Sequence, residues 1–216
     1  MSNSKFLFFL PIFFSLIFLL NAITLGQTPT ELKSPSPAVE PTPTEQTNDG
    51  RQTILQTRQT LTQAGPQTIA AMNSASELMG QGKYSQAIAA FTKIINANPK
   101  LATAYNNRGY CYAQMGKTDL AMRDYNISIK LSPTAALTYS NRAMAFAQIG
   151  NFESALADSG KAIELSSKDS LLYNNRGDIF SRIGKLEEAL TDFNKAIALQ
   201  PKNAFYYSNR GFVYYK

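Results

Sequence analysis

Apolar and small residues recur over the C-terminal two-thirds of the chain at the spacing of amphipathic helices. Tyr105, Gly109 and Tyr112 are spaced i, i+4 and i+7, so they share one face of a helix. Residues 121–128 repeat this spacing. Gly116 lies between the two segments, where glycine commonly ends a helix. The pattern therefore predicts two short helices joined by a tight turn.

The same pattern repeats with a period of 34 residues. Four glycines mark the turns, and an alanine follows each after five residues: Gly82, Gly116, Gly150 and Gly184, with Ala87, Ala121, Ala155 and Ala189. A constant period of this length indicates helix pairs that stack, because one pair alone cannot bury its apolar face. We predict an all-α fold with helix pairs near residues 68–97, 102–131, 136–165 and 170–199, followed by a single helix at 204–216.

Further positions recur in register and resemble a known family. The second unit carries Tyr105, Arg108-Gly109, Tyr112, Gly116, Ala121, Tyr125 and Pro133, and the fourth carries Tyr173, Arg176-Gly177, Phe180, Gly184, Ala189, Phe193 and Pro201. The third unit departs from this pattern at Ser159, where an aromatic is expected, and at Ser167, where the proline is expected. Over about 150 of 216 residues these motifs resemble the tetratricopeptide repeat family. The resemblance implies an α-solenoid of stacked antiparallel helix pairs, whose first helices line a concave groove.

The N-terminal segment, residues 1–26, has the composition of a secretory signal. Lys5 precedes an apolar run, residues 6–20, that only Pro11 and Ser15 interrupt. This run is short for the roughly 20 residues that span a bilayer, although extension to Gly26 reaches that length. A cleaved signal and an uncleaved anchor at residues 6–25 therefore both remain open. Either one predicts export to the periplasm or the extracellular space.

The rest of the chain is expected to divide into a linker and a repeat array. Residues 27–65 are rich in proline and threonine and contain little that could be buried, so we expect a disordered spacer. Residues 66–216 are expected to form the array, with repeats at 68–101, 102–135, 136–169 and 170–203 and a partial repeat at 204–216.

Composition argues against several classes of function. The chain has no histidine, no tryptophan and one cysteine, so it has no Ser-His or Cys-His pair and no cysteine-based zinc site. We therefore expect no enzyme activity, no cofactor and no metal, and we expect Cys111 to be a packing residue. The net charge of +6 lies wholly from Pro66 onward, but both signs are interspersed there. Nucleic-acid binding is not expected for that reason.

Arginine and aspartate recur together at a fixed distance. Four units have an arginine after an asparagine, and in three of them an aspartate follows 16 residues later: Arg108, Arg142, Arg176 and Arg210, with Asp124, Asp158 and Asp192. The first unit has neither residue, with Ser74 and Ala90 in those places. This joint presence and absence predicts an ion pair between the two helices of a repeat. The alternative is that the arginines clamp a ligand.

The side of each first helix opposite the core is the candidate binding surface. The resemblance assigns this side to the groove, and each unit has an asparagine at the same place in it, which we call the asparagine ladder: Asn73, Asn107, Asn141, Asn175 and Asn209. An amide can donate to and accept from a peptide backbone, so the ladder is suited to an extended polypeptide; local bonding is the alternative. The candidate groove residues are Asn107, Asn141, Asn175, Tyr110, Leu137, Met144, Leu171, Gln114, Gln148 and Arg182. We expect a protein-binding scaffold of the cell envelope.

The last predicted helix is aromatic on every side, and its candidate interface residues are Phe205, Phe212 and Tyr215. Terminal units of repeat arrays normally carry a polar outer face. Three interpretations stay open: the chain is part of a longer array, the helix pairs with another chain, or it packs back and tolerates exposure. The second interpretation gives an alternative function, a structural subunit that self-associates or joins partners through this helix.

Overall fold

The computed structural model describes residues 65–215, and every regular element in that range is an α-helix. In chain order these are α1 (Pro66–Gly80), α2 (Tyr84–Ala97), α3 (Ala102–Gln114), α4 (Thr118–Leu131), α5 (Ala136–Gln148), α6 (Phe152–Leu165), α7 (Ser170–Arg182), α8 (Leu186–Leu199) and α9 (Ala204–Tyr215). The all-α prediction is therefore confirmed for this range. The predicted signal or anchor and the predicted linker up to residue 64 lie outside it. Between residues 65 and 215, no helix is long and apolar enough to cross a membrane.

The periodic glycines form the turns between paired helices. Gly82, Gly116, Gly150 and Gly184 have φ between 71° and 79°, a left-handed conformation that favours glycine. At Gly116, the glycine N–H donates to the Ala113 carbonyl at 3.0 Å, and the next N–H, of Lys117, donates to the Tyr112 carbonyl at 2.9 Å. These two bonds satisfy carbonyls at the end of α3 and turn the chain into α4.

Successive helix pairs stack side by side along the chain. Each helix packs against its sequence neighbours, and successive odd-numbered helices also pack on one another. Even-numbered helices do not contact each other to a comparable extent within the described range. The odd helices therefore lie on the inner side of the stack, and the even helices lie on its outer side.

Close packing within two of the pairs depends on a glycine facing an aromatic ring. A Cβ atom added at Gly109 in α3 would lie 2.9 Å from Cε1 of Tyr125 in α4. The same holds for Gly177 in α7 and Phe193 in α8, also at 2.9 Å. Both rings are almost fully buried, so the missing Cβ is what lets each ring lie against the backbone of its partner helix.

The third pair keeps the fold with smaller residues. Ala143 stands in the glycine position and buried Ser159 stands in the aromatic position. Ile179, from the next odd helix, packs with Ala143 in one buried cluster. The position of Ile179 is occupied by Ala145 in α5, which lies beside Tyr125, and by Val213 in α9, which lies beside Phe193. The small Ser159 is therefore accompanied by the large Ile179 of the neighbouring repeat, which keeps the interior filled.

This exchange of volume predicts that Ser159→Phe destabilises the native chain by about 1–3 kcal/mol, because the ring overpacks against Ala143 and Ile179. The same change should be better tolerated in an Ala143→Gly/Ile179→Val background, which copies the combination around Phe193. Urea unfolding followed by circular dichroism measures both effects. Equal losses in the two backgrounds would show that the volumes are not coupled.

Candidate functional site

Three of the recurrent arginines each join the two helices of their own repeat. Arg108 in α3 donates through Nε and Nη2 to the two carboxylate oxygens of Asp124 in α4, both at 2.8 Å. Arg142 binds Asp158 in the same bidentate way, at 2.6 and 2.8 Å. The pair between Arg176 and Asp192 has distances of 2.7 and 2.8 Å. The ion pairs predicted from the 16-residue spacing are confirmed.

The guanidinium groups also reach the preceding repeat. Arg108 Nη1 donates to Oγ1 of Thr92 at 3.1 Å, and Arg142 Nη1 donates to Oδ1 of Asn126 at 2.7 Å. Each acceptor precedes its arginine by 16 residues and lies on the preceding even helix. For Arg176 the corresponding residue is Gly160, which has no side chain to accept. One guanidinium therefore contacts both its own repeat and the preceding one.

Aromatic rings enclose these arginines. The Cζ atom of Arg108 lies 5.7 Å from the ring centre of Tyr105 and 5.9 Å from that of Tyr112. The hydrogen bonds that Arg108 donates to Asp124 raise the pKa of Arg108 above its ordinary value, although burial opposes the shift. The guanidinium is thus held inside the array and stays charged. This arrangement supports the structural interpretation of the arginines over the ligand clamp.

The asparagine ladder joins successive odd helices. Three of its side chains donate an N–H to a buried polar residue on the preceding odd helix: Asn141 to Asn106 at 3.0 Å, Asn175 to Ser140 at 3.0 Å, and Asn209 to Asn174 at 2.8 Å. At Asn107 the corresponding residue is Met72, which offers no strong acceptor. The ladder therefore makes local bonds, but each amide nitrogen carries a second hydrogen.

The predicted apolar groove residues differ in exposure. Leu137, in the first turn of α5, is 37 % exposed, and Leu171 occupies the same place in α7 and is half-buried. Met144 is half-buried and packs on the core cluster around Ala143. Tyr110 is half-buried too, and this burial raises the pKa of its phenol well above the ordinary value. Leu137 is therefore the most accessible of these four side chains.

The predicted polar groove residues lie at the ends of the odd helices. Gln114 is half-buried and Gln148 is exposed. Arg182 pairs with Asp178 of the same helix, with 3.0 Å between Nε and Oδ2. The candidate groove residues of α3 and α5 carry no charge, so the charge of this surface is confined to the α7 pair.

Cys111 is fully buried in α3. Burial raises the pKa of its thiol to about 12, so the group is protonated at neutral pH. A buried, protonated thiol is a poor nucleophile. The prediction that Cys111 is a packing residue is confirmed.

The predicted interface residues of α9 are accessible to different extents. Phe205 is half-buried, and its ring centre lies 6.4 Å from that of Tyr206. Phe212 is 57 % exposed and Tyr215 is 90 % exposed. The structure therefore places an exposed aromatic surface on the last described helix.

Two sets of polar residues were not found from the sequence. One consists of the ladder acceptors Asn106, Ser140 and Asn174, each of which directly precedes a ladder asparagine. The other consists of the arginine acceptors Thr92, Asn126 and Asn194. The signal for the first was the recurrent Asn-Asn or Ser-Asn dipeptide. For the second it was a polar residue 16 positions before Arg108, Arg142 and Arg210, although not before Arg176.

Comparison with known protein families gives matches across the array. Models described as tetratricopeptide repeat match residues 102–135 and 136–169, and a model described as TPR repeat matches residues 75–116 and 177–216. Together they cover more than half of the chain. A segment of 54 residues is 39 % identical to Hsp70-Hsp90 organizing protein 1 of Glycine max; it is 25 % of this chain and only 9 % of that protein.

Solved structures share the fold at low sequence identity. TTC0263, a thermophilic TPR protein of Thermus thermophilus, is similar with a TM-score of 0.66 and 17 % identity, over 71 % of this chain and 85 % of that one. MamA of Desulfovibrio magneticus RS-1 gives a TM-score of 0.55 and 17 % identity, over 69 % and 84 % of the two chains. At this identity the similarity concerns the fold alone.

The missing acceptor at Gly160 leads to a prediction. A Cβ atom there would meet nothing within 4 Å, so Gly160→Asn should fit and bind Arg176 as Asn126 binds Arg142. Gly160→Ala is the matched control, because replacing a mid-helix glycine by alanine stabilises by about 1 kcal/mol by itself. Relative to alanine, asparagine should be favoured by about 1 kcal/mol more with Arg176 present than in an Arg176→Gln background. The difference is measured by urea unfolding; if it is the same in both backgrounds, the bond does not form.

Proposed function

Because the chain belongs to the tetratricopeptide repeat family, we propose that this protein–protein interaction scaffold is non-enzymatic and binds an extended polypeptide along its odd helices. The observation that carries the proposal is the asparagine ladder on the inner side of the stack. Its amide groups recur once per repeat on helices that pack directly on one another. Each still has a second N–H that can donate to a peptide carbonyl.

The spacing of the ladder supports a particular ligand conformation. Packed helices lie about 8–10 Å apart. A polyproline II chain advances about 3.1 Å per residue, or roughly 9 Å for each turn of three residues. One turn of such a peptide therefore matches one step of the ladder, so that a carbonyl can meet an asparagine in every repeat. Recognition would act mainly on the ligand's backbone.

The side chains around the ladder favour an uncharged ligand. Leu137 and Leu171 supply apolar surface at the start of α5 and α7, and no candidate groove residue of α3 or α5 is charged. A strongly acidic or basic peptide would lose hydration there without gaining a charged partner. The ion pair of Asp178 and Arg182 lies toward the far end of α7. We therefore expect a largely uncharged polypeptide with apolar side chains.

A further observation supports binding to another protein. The Glycine max relative is named as an organizing protein for Hsp70 and Hsp90, although the matched segment is a small part of its length.

The N-terminal Lys5 and the apolar run at residues 6–20 favour a location in the cell envelope, as an exported or anchored protein. Recovery of the chain from the cytosol with Met1 intact would contradict that location.

A second candidate function is assembly through α9. The observation in its favour is the exposure of Tyr214 and Tyr215, at 67 % and 90 %, beside exposed Tyr207. An aromatic surface of this kind marks an interaction site or an aggregation hazard. In this function α9 joins copies or larger partners, while the candidate groove residues of α3, α5 and α7 keep a separate role.

The groove proposal predicts the properties of peptides selected on the full chain from a random twelve-residue display library. Selected peptides should be largely uncharged and apolar. Leu137→Glu should weaken the binding of a selected peptide at least tenfold, because it places an unpaired charge beside the ligand. The substitution should not destabilise the helix, because a carboxylate is favourable in the first turn of α5. Fluorescence anisotropy measures the affinity.

The matched control is Ile149→Glu, which introduces the same charge at a residue that is 59 % exposed at the turn after α5. This variant should bind like the native chain. Selection of mainly charged peptides, or equal affinity of the Leu137→Glu variant, would contradict the proposal.

A further inference from the structure

The repeat array has two edges, at which the helices begin and end. At one of them the chain passes from an even helix to the next odd helix, through residues 98–101, 132–135, 166–169 and 200–203, and we call it the even-to-odd edge. There the start of α7 meets the end of α8, because Oγ of Ser170 donates to Oε1 of Gln200 at 3.2 Å. At the opposite edge the start of α2 meets the end of α3, where Oγ of Ser85 lies 3.7 Å from Sδ of Met115. Each helix therefore runs from one edge to the other.

Lysine is concentrated at the even-to-odd edge. Its turns carry three exposed lysines, Lys100, Lys168 and Lys202. The last two turns of the even helices that lead into these turns carry four more exposed lysines, Lys93, Lys130, Lys161 and Lys195. Positive and negative residues are interspersed along the sequence, but the fold brings seven lysines to one edge.

The carboxylates at this edge do not neutralise it. The same segments contain two, Glu164 and Asp169. Glu164 binds Lys161, with 3.1 Å between Oε2 and Nζ, and Asp169 accepts the N–H of Leu171 at 3.0 Å. Among residues 65–215, no carboxylate lies within ion-pair distance of the other six lysines. The edge therefore has an unbalanced positive charge.

The opposite edge is balanced. Its turns at residues 81–83, 115–117, 149–151 and 183–185, together with the first two turns of the even helices, contain four basic residues. They also contain four carboxylates, apart from the aspartates that bind the recurrent arginines. Three of the basic residues recur at one place in the repeat: Lys83, Lys117 and Lys185. The excess of positive charge is thus a property of one edge and not of the whole surface.

Helix stability does not account for the lysines in the even-to-odd turns. Lys100, Lys168 and Lys202 each lie three residues after the end of an even helix and two residues before the start of an odd helix. The dipole of the even helix favours a cation at this place, whereas that of the odd helix favours an anion. Because the two preferences oppose each other, a lysine there gains little from either helix. These charges remain available to an anion outside the array.

The chain enters the array at the same edge. The first odd helix, α1, begins at Pro66, and Nδ2 of Asn98 in the first even-to-odd turn donates to Oγ1 of Thr68 at 3.4 Å. The apolar run at residues 6–20, which we predict to be a signal or an anchor, precedes this point in the sequence. A membrane that holds this run is therefore connected to the array at its basic edge.

We propose that the even-to-odd edge docks on a membrane surface that contains anionic phospholipids. All seven exposed basic residues of the edge are lysines, whose mobile point charges suit a fluid layer of phosphate groups, whereas arginine suits a fixed bidentate ligand. In this docking the helices point away from the lipid, so the asparagine ladder in the middle of the odd helices stays accessible. The inference rests on the cell-envelope location proposed above and adds a second surface to the groove.

Amine labelling of the full chain tests this surface without any substitution. The protein is mixed with vesicles of one part phosphatidylglycerol to two parts phosphatidylcholine, or with pure phosphatidylcholine vesicles, into which the apolar run can insert equally. Acetic anhydride then labels accessible lysines, and mass spectrometry measures the rate at each one. On the anionic vesicles, labelling of Lys100, Lys168 and Lys202 should fall at least fivefold relative to the neutral vesicles.

The lysines of the opposite edge are the internal control. Lys83, Lys117 and Lys185 are equally exposed and should keep their labelling rates on both kinds of vesicle. Salt near 1 M shortens the screening length to about 3 Å and should abolish the protection. Equal protection of both edges on the anionic vesicles, or no protection of the even-to-odd edge, would overturn the proposal.

Two triple variants measure how much each edge contributes. Lys100→Gln/Lys168→Gln/Lys202→Gln removes three charges from the even-to-odd edge, and Lys83→Gln/Lys117→Gln/Lys185→Gln removes three from the opposite edge. Each lysine close to an anionic surface strengthens binding about fivefold. In cosedimentation of the full chain with vesicles, the first variant should lose at least tenfold of its preference for anionic over neutral vesicles. The second should lose less than threefold, and equal losses would contradict docking through this edge.

Soluble polyglutamate distinguishes an acidic protein from a lipid surface. If polyglutamate protects the even-to-odd lysines and anionic vesicles do not, the partner is an acidic polypeptide and the proposal is overturned. Protection by the anionic vesicles in the presence of polyglutamate supports it. Recovery of the chain from the cytosol contradicts the proposed location, whereas the labelling pattern concerns the surface itself, so the two failures are distinguishable.

Discussion

The structure depends on an arginine that binds in two directions. Within its own repeat, Arg142 makes a bidentate pair with Asp158, and toward the preceding repeat it binds Asn126. The aspartates are almost completely buried, so loss of the arginine would leave a carboxylate without a partner. Because the guanidinium is planar and its donors are fixed, the pair sets the register of the two helices as well as holding them together. The same group therefore joins the two helices of its own pair and ties that pair to the preceding one.

Two other features follow from this constraint. With such a pair held in register, residues of neighbouring repeats can compensate for each other's size, as Ile179 and Ser159 do, without moving the helices. The fixed stacking also lets the asparagine ladder bond from one odd helix to the next. Interactions in such arrays are confined to neighbours, so each repeat can vary in its core while the inner surface stays continuous. A continuous inner surface is what binding an extended polypeptide requires.

The sequence predicted the features that recur within a single repeat. The glycine period located the turns, because the left-handed backbone conformation at these turns favours glycine. The joint occurrence of Arg108 and Asp124, with both absent from the first unit, was enough to predict their pairing. Features that depend on adjacency between repeats were not predicted. Asn106 and Thr92 gain their partners only when one repeat lies against the next, and Ile179 offsets Ser159 from a different unit.

For the candidate site, a helical wheel gave the direction of the side chains but not their accessibility. Tyr110 lies on the side of α3 opposite its core-facing residues, yet contact with neighbouring elements leaves it half-buried. The ladder asparagines are partly used in bonds between repeats, which a wheel for one helix does not contain. The aromatic surface of α9 was visible in the sequence as an excess of aromatic residues.

A double-mutant cycle at Arg108 and Asp124 tests the central interaction most directly, through urea unfolding of the native chain, the two single alanine variants and the double variant. Arg108→Ala alone should cost about 3 kcal/mol, because it strands a buried carboxylate. The same change in an Asp124→Ala background should cost much less, since that carboxylate is gone. Equal costs in both backgrounds would show that the pair does not hold the repeat together and would contradict this account of the array.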